Sequence, residues 1–298
     1  MSERFGVLFV DKPSGLTSFQ TLNRIKKIAD TPKVGHAGTL DKFATGLLVV
    51  ATGWCTRLMP WFTGLDKRYS ATVRFGEETE TLDPEGDVIA TADLPNKAQV
   101  SKAIERFLGP ISQVPPIYSA VHASGERAYK LARAGKEVDL KARDVEIYRI
   151  EMHSFDAPEM VIGVHCSKGT YIRSLARDIG IEADSRAHLA ELRRTQIGPF
   201  LIDEAKTPDQ IDLKTDLIDP AGALSRIGGL QQSSVSPEIL RSIRNGQVIS
   251  SKSLDEMQLS DGEIMITERS GKLAAIMEKK GDVCRYLLVV PVQTNSTN

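Results

Sequence analysis

Apolar positions follow two different periods along this chain, one typical of helices and one typical of strands. Residues 18–29 place apolar side chains three or four positions apart behind Thr17 or Ser18, which predicts a capped amphipathic helix. Residues 67–75 alternate between apolar and polar side chains instead, which predicts a half-buried strand. The positions on the apolar face of that strand are Tyr69, Ala71, Val73 and Phe75.

Shorter apolar runs predict a mixture of further strands and helices. The predicted strands are Gly6–Val10, Val145–Phe155 and Met160–Cys166, the last two paired around residues 156–158. The predicted helices are Lys97–Leu108, Glu126–Ala134 and Thr170–Ile179, with Gly109 and Gly135 just after the first two. Because no regular strand–helix–strand rhythm is present, we expect an α+β fold with a mixed, largely antiparallel sheet and flanking helices.

The last quarter of the chain predicts a separate small module. Residues 225–237 are rich in Gly, Gln and Ser, which favours a linker. A short helix over Pro237–Arg244 and three strands follow, at Glu263–Thr267, Leu273–Met277 and Tyr286–Val290. We therefore expect one large domain over residues 1–230, a small β-rich domain over 231–292, and a disordered polar tail over 293–298.

The composition is that of an ordinary soluble globular protein, with 41% hydrophobic and 26% charged residues among 298. No apolar run approaches the ~20 residues of a membrane span, and the N-terminus does not resemble a signal peptide. The three cysteines are far apart, which fits a reducing cytoplasm and argues against disulfides or a zinc knuckle. The five histidines form no pair four residues apart, so we expect no metal site.

Charge is unevenly distributed although the net charge is −1. Residues 1–74 hold eleven Lys and Arg against five Asp and Glu, whereas residues 75–93 hold seven acids and no base. A basic segment is compatible with phosphate contacts, and equally with a solvated face that binds nothing. Charge alone leaves both interpretations open.

The loop over residues 35–48 carries the strongest candidate chemistry. It places one carboxylate, Asp41, and one imidazole, His36, among the glycines Gly35, Gly38 and Gly46. Glycines let a backbone approach a ligand closely, and a lone acid in such a setting is a candidate nucleophile. Judged by local chemistry alone, a turn or helix cap is the commoner use of such an aspartate.

Three distant segments offer side chains that could act with Asp41: residues 66–69, 166–173 and 187–195. Each also has a structural interpretation. Tyr69 fits a core aromatic residue, Arg173 a solvated helix residue, and Leu192 a core residue.

Taken together, these segments resemble the TruB-type tRNA pseudouridine synthases, which modify uridine 55 in the T arm. The resemblance covers nearly the whole chain. Its motifs are Asp11-Lys12-Pro13, Gly35–Leu48, Lys67-Arg68-Tyr69, Gly76–Gly86, Gln113–Ala120, Arg127-Ala128-Tyr129 and Cys166–Arg173.

The resemblance implies a role for six residues. Asp41 corresponds to the catalytic nucleophile, Tyr69 to the tyrosine that stacks on the target base and serves as general base, and Arg173 to the arginine that pairs with the aspartate. The residues implied to contact or position the substrate nucleotide are His36, Tyr171 and Leu192. We further expect His36 to fill the gap left when the target base is flipped out of the RNA.

The resemblance also implies the surroundings of the reaction. An insert near residues 76–135 would grip the T stem-loop, and the C-terminal module would be a PUA-like RNA-binding domain. We expect a monomer that needs no cofactor, guide RNA or obligatory protein partner. Two departures stand out: Arg186 occupies a usual glycine position, and residues 231–298 carry balanced charges.

The chemistry agrees with these roles. Uridine becomes pseudouridine when an N–C bond is exchanged for a C–C bond, with nothing oxidised or added. Asp41 must be ionised to act; burial would raise its pKa and the Arg173 guanidinium would lower it again. Three alternatives remain: an inactive tRNA-binding protein that aids RNA folding, a relative that depends on guide RNA, and an unrelated hydrolase that uses Asp41.

Overall fold

The computed structural model describes residues 5–119, 121–123, 126–134, 136, 138–247, 249, 259–281 and 283–291. The helices are α1 (Ser18–Ala29), α2 (Met59–Thr63), α3 (Lys97–Glu105), α4 (Ala128–Arg133), α5 (Ile172–Glu182), α6 (Pro220–Ser225) and α7 (Pro237–Arg244). The strands are β1 (Val7–Lys12), β2 (Val34–His36), β3 (Thr45–Thr52), β4 (Lys67–Phe75), β5 (Glu77–Thr79), β6 (Val88–Thr91), β7 (Gly109–Gln113), β8 (His122–Ala123), β9 (Glu126–Arg127), β10 (Arg143–Asp156), β11 (Glu159–Cys166), β12 (Ala187–Ile197), β13 (Phe200–Leu201), β14 (Gln231–Ser234), β15 (Gly262–Thr267), β16 (Leu273–Lys280) and β17 (Val283–Val289).

A large sheet forms the centre of the molecule. Its strand order is β1-β3-β12-β4-β11-β10-β7, with β2 paired to β3 and β13 paired to β12. All of these pairs are antiparallel except β3 with β12. The predicted α+β fold with a mixed, largely antiparallel sheet is therefore confirmed.

Two elements form over the residues that the sequence pattern predicts. Helix α1 begins after Thr17, whose hydroxyl accepts a hydrogen bond from the Gln20 backbone while the Gln20 side chain accepts one from the Thr17 backbone. Strand β4 buries Ala71, Val73 and Phe75 and leaves its other face more accessible. Hydrophobic periodicity is a sufficient signal in both cases, because each element has one apolar face.

Three predicted helices have different bounds in the structure. Helix α3 ends at Glu105, so Gly109 is not its C′ residue but the first residue of β7, with φ of 86°. Residues 126–127 form a strand before α4, and Gly135 lies outside the described residues. Helix α5 begins two residues later than predicted because the Tyr171 backbone is extended and donates its N–H to the Gln113 side chain, 2.8 Å away.

The two faces of the large sheet bury separate apolar clusters. One cluster lies between the sheet and helices α1, α3 and α5, and includes Leu48, Val73, Ile162 and Leu175. The other lies against the opposite face of β1 and β3 and includes Val49 and Phe200. Residues of the C-terminal sheet join this second cluster, namely Met265, Leu273, Ile276 and Leu288.

The C-terminal residues form a second sheet of order β14-β15-β16-β17. The stretch predicted as a linker therefore contains a strand: β14 pairs in parallel with β15. The sequence does not predict this strand, because a polar strand can occupy a sheet edge without an apolar run to reveal it; the linker role stays a prediction. The domain boundary at residue 230 stays a prediction, and the predicted disordered tail lies outside the described residues.

Candidate active site

The loop that carries Asp41 connects β2 to β3 and is fixed on both sides of the carboxylate. The Ser18 hydroxyl donates to the Leu40 carbonyl at 3.0 Å and accepts from the Leu40 N–H at 2.9 Å. Buried Lys12 donates to the carbonyl of Lys42 at 3.3 Å. These contacts hold the loop in one conformation, so Asp41 is presented by a rigid support.

Gly46 is required where this loop enters β3. Its φ is +111°, and a Cβ atom there would lie 2.3 Å from the Arg194 carbonyl oxygen. Only glycine combines this backbone conformation with such a close approach. It allows β3 to pair in parallel with β12 next to the Asp41 loop.

Arg173 connects two carboxylates at the beginning of α5. Its Nη2 donates to Asp41 Oδ1 at 3.0 Å, and its Nε lies 2.9 Å from Asp41 Oδ2. Its Nη1 donates to Asp83 Oδ2 at 3.0 Å and to the Thr81 carbonyl at 2.8 Å. Nη2 also donates to the carbonyl of Tyr118 at 2.9 Å. The guanidinium is thus buried in a network that fixes both its position and that of Asp41.

Asp41 and Asp83 differ in their access to solvent. The Asp41 side chain is 36% exposed, whereas that of Asp83 is 5% exposed. Burial raises the pKa of Asp41 above its ordinary value, Arg173 opposes that shift, and the charge of Asp83 adds to it. Asp41 is therefore a carboxylate whose ionised form depends on Arg173 and which still faces open space.

Tyr69 lies on an inner strand of the large sheet. It belongs to β4 and pairs with Arg194 of β12 on one side and Val164 of β11 on the other. Burial raises the pKa of its phenol, and the neighbouring Arg194 guanidinium opposes this rise. The phenol therefore combines an apolar environment with one adjacent positive charge.

Tyr171 and Leu192 line the same cavity as Asp41 and Tyr69. The Gln113 side chain grips the Tyr171 backbone through both its oxygen and its nitrogen, at 2.8 Å and 3.1 Å. The Arg143 guanidinium lies 5.3 Å from the centre of the Tyr171 ring. Leu192 is a buried residue of β12, two positions before Arg194.

A cavity of about 530 Å³ brings five of the six predicted site residues together. They are Asp41, Tyr69, Tyr171, Arg173 and Leu192. Four further basic side chains line it, against one further acid, Asp144; the basic ones are Lys67, Arg143, Lys168 and Arg194. The cavity thus has the size of a small-ligand site and an excess of positive charge, which suits a phosphate-bearing ligand.

His36 is the predicted site residue that does not line this cavity. It ends β2, half-buried, and its Nδ1 has no hydrogen-bond partner among the described residues. Burial and the charge of Arg194 lower the pKa of the imidazole, which favours its neutral form. Its predicted role beside a flipped base stays a prediction.

The sequence assigns no role to several residues of the site, among them Asp83, Gln113 and Arg194. Asp83 belongs to the acidic stretch and to the Gly76–Gly86 motif, but neither shows that it is buried against Arg173. Gln113 and Arg194 both belong to segments noted for their motifs, but nothing in those motifs shows that the side chains turn inward. The alternation of β12 is interrupted by irregular register against β4, which hides this orientation from the sequence.

Arg186 occupies a position where the family usually has glycine, but the adjacent turn does not need a glycine there. The residue with positive φ in this turn is Asp184, at 57°, and not Arg186. The Arg186 side chain instead lies 3.5 Å from Glu78 of β5. Leu192 consequently keeps its place in the cavity wall.

Two negative findings apply to the described part of the chain. No three His, Cys, Asp or Glu side chains lie together as a metal ion would need. No helix there has the length and apolar character of a membrane span. The expectation that the protein binds no metal stays a prediction.

Comparison with known proteins gives consistent matches. Residues 26–172 match the model of the TruB family pseudouridylate synthase N-terminal domain. A tRNA pseudouridine synthase B from Bordetella avium is 47% identical over 229 residues, which cover 76% of this chain and 93% of the relative. One from Borreliella burgdorferi strain ZS7 is 38% identical over 289 residues, covering 95% and 99%.

Solved structures show the same fold at lower identity. A chain in the crystal structure of a Cbf5-Nop10-Gar1 complex superposes with a TM-score of 0.70 at 24% identity, covering 97% of this chain and 86% of that one. A chain in a structure of an H/ACA RNP bound to a substrate RNA gives a TM-score of 0.69 at 22% identity.

Proposed function

This chain belongs to the TruB family of pseudouridine synthases, and from that premise we propose that it converts uridine 55 in the T arm of tRNA to pseudouridine. The relatives that carry the name tRNA pseudouridine synthase B support tRNA as the substrate. The protein is then an isomerase that acts alone in the cytoplasm as a monomer, without cofactor or guide RNA.

The observation that carries this proposal is the pairing of Asp41 with Arg173 opposite Tyr69 in one cavity. The reaction breaks the N1–C1′ bond, turns the uracil, and forms a C5–C1′ bond; C5 then loses a proton and N1 gains one. Asp41, ionised by its contact with Arg173, attacks the sugar or the ring, or stabilises positive charge on the sugar. Tyr69 stacks on the uracil and accepts the C5 proton.

The rest of the site suits a nucleotide that has left its helix. A uridine within a folded arm must be flipped out to reach a cavity of this kind. The basic lining favours its phosphate, and Tyr171 and Leu192 confine the base so that it turns without escaping. We assign His36 to the space that the flipped base vacates, residues 76–135 to the grip on the T stem-loop, and residues 231–292 to further RNA contact.

The test is turnover of an unmodified tRNA transcript by the purified protein alone, followed by mapping of pseudouridine. We expect one pseudouridine at position 55, and none in a transcript with cytidine there. Asp41→Asn should abolish turnover. Asp209→Asn is the matched control, because Asp209 also pairs with an arginine, Arg24, at 3.1 Å, but on the exposed surface.

Each alternative predicts a different result. An RNA-folding protein would bind the transcript and leave its uridines unchanged, and a guide-dependent enzyme would be inactive until a guide RNA was added. A hydrolase would release free uracil. Full turnover by Asp41→Asn would contradict the assignment of the nucleophile.

A further inference from the structure

Three cationic side chains are buried near the cavity, and backbone carbonyls accept most of their described hydrogen bonds; Arg194 also interacts with the Tyr69 hydroxyl. Lys12 donates to Pro13 and Leu16, Lys67 to Thr63 and Leu65, and Arg194 to Leu47 and Gly38. The exposed fractions of Lys12, Lys67 and Arg194 are 0%, 6% and 1%. Cationic side chains are rarely buried to this extent without a carboxylate. Arg173, which holds two carboxylates, shows the usual arrangement by contrast.

Arg194 occupies the central position among these three cations. In the register of the sheet it lies opposite Tyr69 on β4 and opposite Gly46 on β3. Its Nε donates to the Leu47 carbonyl at 2.8 Å and its Nη2 to the Gly38 carbonyl at 2.9 Å. Gly38 and Leu47 lie on either side of Asp41 in the chain. One side chain thus joins both sides of the Asp41 loop to β12, and β12 pairs with the strand of Tyr69.

Among the described residues, no carboxylate forms an ion pair with Arg194. Neutral carbonyls satisfy its hydrogen-bond donors, but they do not cancel a full positive charge in a medium of low polarity. The side chain also lines the cavity next to Tyr69. Its positive charge therefore favours an oxygen that gains negative charge there. The phenol of Tyr69 is such an oxygen, because Tyr69 lies opposite Arg194 in the sheet and interacts with its guanidinium.

The other titratable groups near Tyr69 include a thiol, a carboxylate and a lysine. Cys166 of β11 is a buried thiol whose pKa is raised to about 12, so it is neutral. Asp41, from the facing loop, carries negative charge and opposes ionisation of the phenol. Lys67 is two residues away on the same strand, and burial lowers its pKa to about 8. Arg194 is the arginine beside Tyr69, and its guanidinium opposes the effect of burial on the pKa of the phenol.

We propose that Arg194 is a positioning residue for the isomerisation, which ties the Asp41 loop to the Tyr69 strand and stabilises the Tyr69 oxygen when it carries negative charge. The inference rests on the proposed function for the proton transfer assigned to Tyr69. Arg194 itself exchanges no proton: the phenolate takes the proton from C5, and the guanidinium favours the phenolate before that step.

The test compares two substitutions of Arg194 with a neighbouring control. Arg194→Gln keeps a hydrogen-bond donor but removes the charge, and Arg194→Lys keeps the charge but loses the planar fork that reaches two carbonyls. Arg193→Gln is the control: it is the same change one residue earlier, on a side chain that turns away to pair with Asp11 at 2.8 Å. Thermal unfolding of each variant checks that it is folded.

Two readouts separate a positioning role from a merely structural one. The first is 19F NMR of protein that contains 3-fluorotyrosine, with Tyr69→Phe to assign the resonance, which follows ionisation of Tyr69 without RNA. We expect Arg194→Gln to move that titration up by about one pH unit or more, and Arg194→Lys and Arg193→Gln to leave it near its original place. The second is turnover, where Arg194→Gln should lower kcat by about 100-fold with KM for tRNA changed less than about threefold.

The outcomes decide the proposal as follows. An unmoved Tyr69 titration together with near-normal kcat in Arg194→Gln would overturn it. If Arg194→Gln does not fold, Arg194→Lys decides: reduced kcat with a normal Tyr69 titration supports the linkage, and normal kcat contradicts it. If the original protein makes no pseudouridine in tRNA, the proposed function fails, while the fluorine titration still measures the coupling of Arg194 to Tyr69.

Discussion

The cavity wall and the C-terminal sheet differ in the kind of side chain that they mainly bury. The C-terminal sheet buries an apolar cluster that includes Ile264, Ile266 and Met277, and keeps pairs such as Glu278 with Arg285 near the surface. It also buries Lys279, which lies 3.5 Å from the exposed Asp261. Around the cavity, the large sheet and the segments next to it bury charged side chains instead; the residues are Lys12, Lys67, Asp83, Arg173 and Arg194. Since a buried charge is destabilising unless it is compensated, this concentration of buried charge around the cavity indicates a functional role there.

The same contrast exists on a smaller scale between the two carboxylates of Arg173. Asp83 is enclosed and accepts from Nη1, whereas Asp41 opens into the cavity. One carboxylate fixes the guanidinium and the other is fixed by it. This difference supports the proposed division of roles, in which Asp83 supports and Asp41 reacts, although both contact one side chain.

The largest expected effect comes from Arg173→Met, which removes the centre of this network. Asp83 would remain buried without its cation, so we expect a loss of stability of about 3–5 kcal/mol. Asp41 would lose the charge that favours its ionised form, so turnover should fall by about 1,000-fold or more. Chemical denaturation and single-turnover kinetics measure the two losses. Normal kinetics in a folded variant would contradict the role of the pair.

A smaller effect on stability should separate the two carboxylates. Asp83→Asn keeps the shape but weakens a buried charged hydrogen bond, so we expect a loss of about 1–3 kcal/mol. Asp41→Asn should be at least as stable as the original protein. The pKa of Asp41 is higher in the folded state than in the unfolded state, so the folded state binds the proton more tightly and ionisation at neutral pH opposes folding.

Equal destabilisation by Asp83→Asn and Asp41→Asn would remove the distinction between support and reaction. The exposed pair of Lys42 with Glu85, at 2.7 Å, provides the control. Glu85→Gln should change stability by no more than about 1 kcal/mol, because solvent screens such pairs.

The sequence predicted much of this fold because most elements have one apolar face. Helix α1 and strand β4 both follow their periodicity from end to end. The glycine at 109 misled the prediction because a residue with positive φ can begin a strand as well as end a helix. The sequence did not predict strand β14, because its polar residues form a strand by pairing with β15 and not by burying an apolar face.

The site was predictable only as far as its residues belong to motifs. Asp41, Tyr69 and Arg173 lie in separate segments, and the sequence linked them through resemblance to a family. Asp83 and Arg194 act through burial and cross-strand register, which no local pattern records. The inward turn of a charged side chain depends on which strands meet, so the fold was needed to find it.

A pH profile sharpens the comparison further, with an expected change of about tenfold per pH unit on the acid side. Turnover should need the ionised form of Asp41, whose pKa burial raises, so activity should fall on acidification at a higher pH than for an exposed aspartate. The contribution of Asp41 to the stability of the protein changes with pH in the opposite direction, because protonation of this carboxyl group favours the folded state. Measuring kcat/KM and unfolding at each pH distinguishes loss of ionisation from acid unfolding.

The smallest expected effect lies where the two regions meet. Trp61 of α2 donates from Nε1 to Glu263 Oε2 of β15 at 2.6 Å. Trp61→Phe keeps most of the ring packing but removes this bond, so we expect a loss of about 1 kcal/mol in stability. The kcat should not change, because the bond supports neither Asp41 nor Tyr69.

The KM for tRNA, unlike kcat, should change in Trp61→Phe if residues 231–292 contact RNA. Loosening the C-terminal sheet would then raise KM for tRNA in Trp61→Phe while leaving kcat and the pH profile in place. A lowered kcat would instead show that the C-terminal sheet helps to shape the cavity through the apolar cluster that β1 and β3 share with it. The contrast between a charged, reactive wall and an apolar, supporting sheet holds only if the effect is confined to KM and stability.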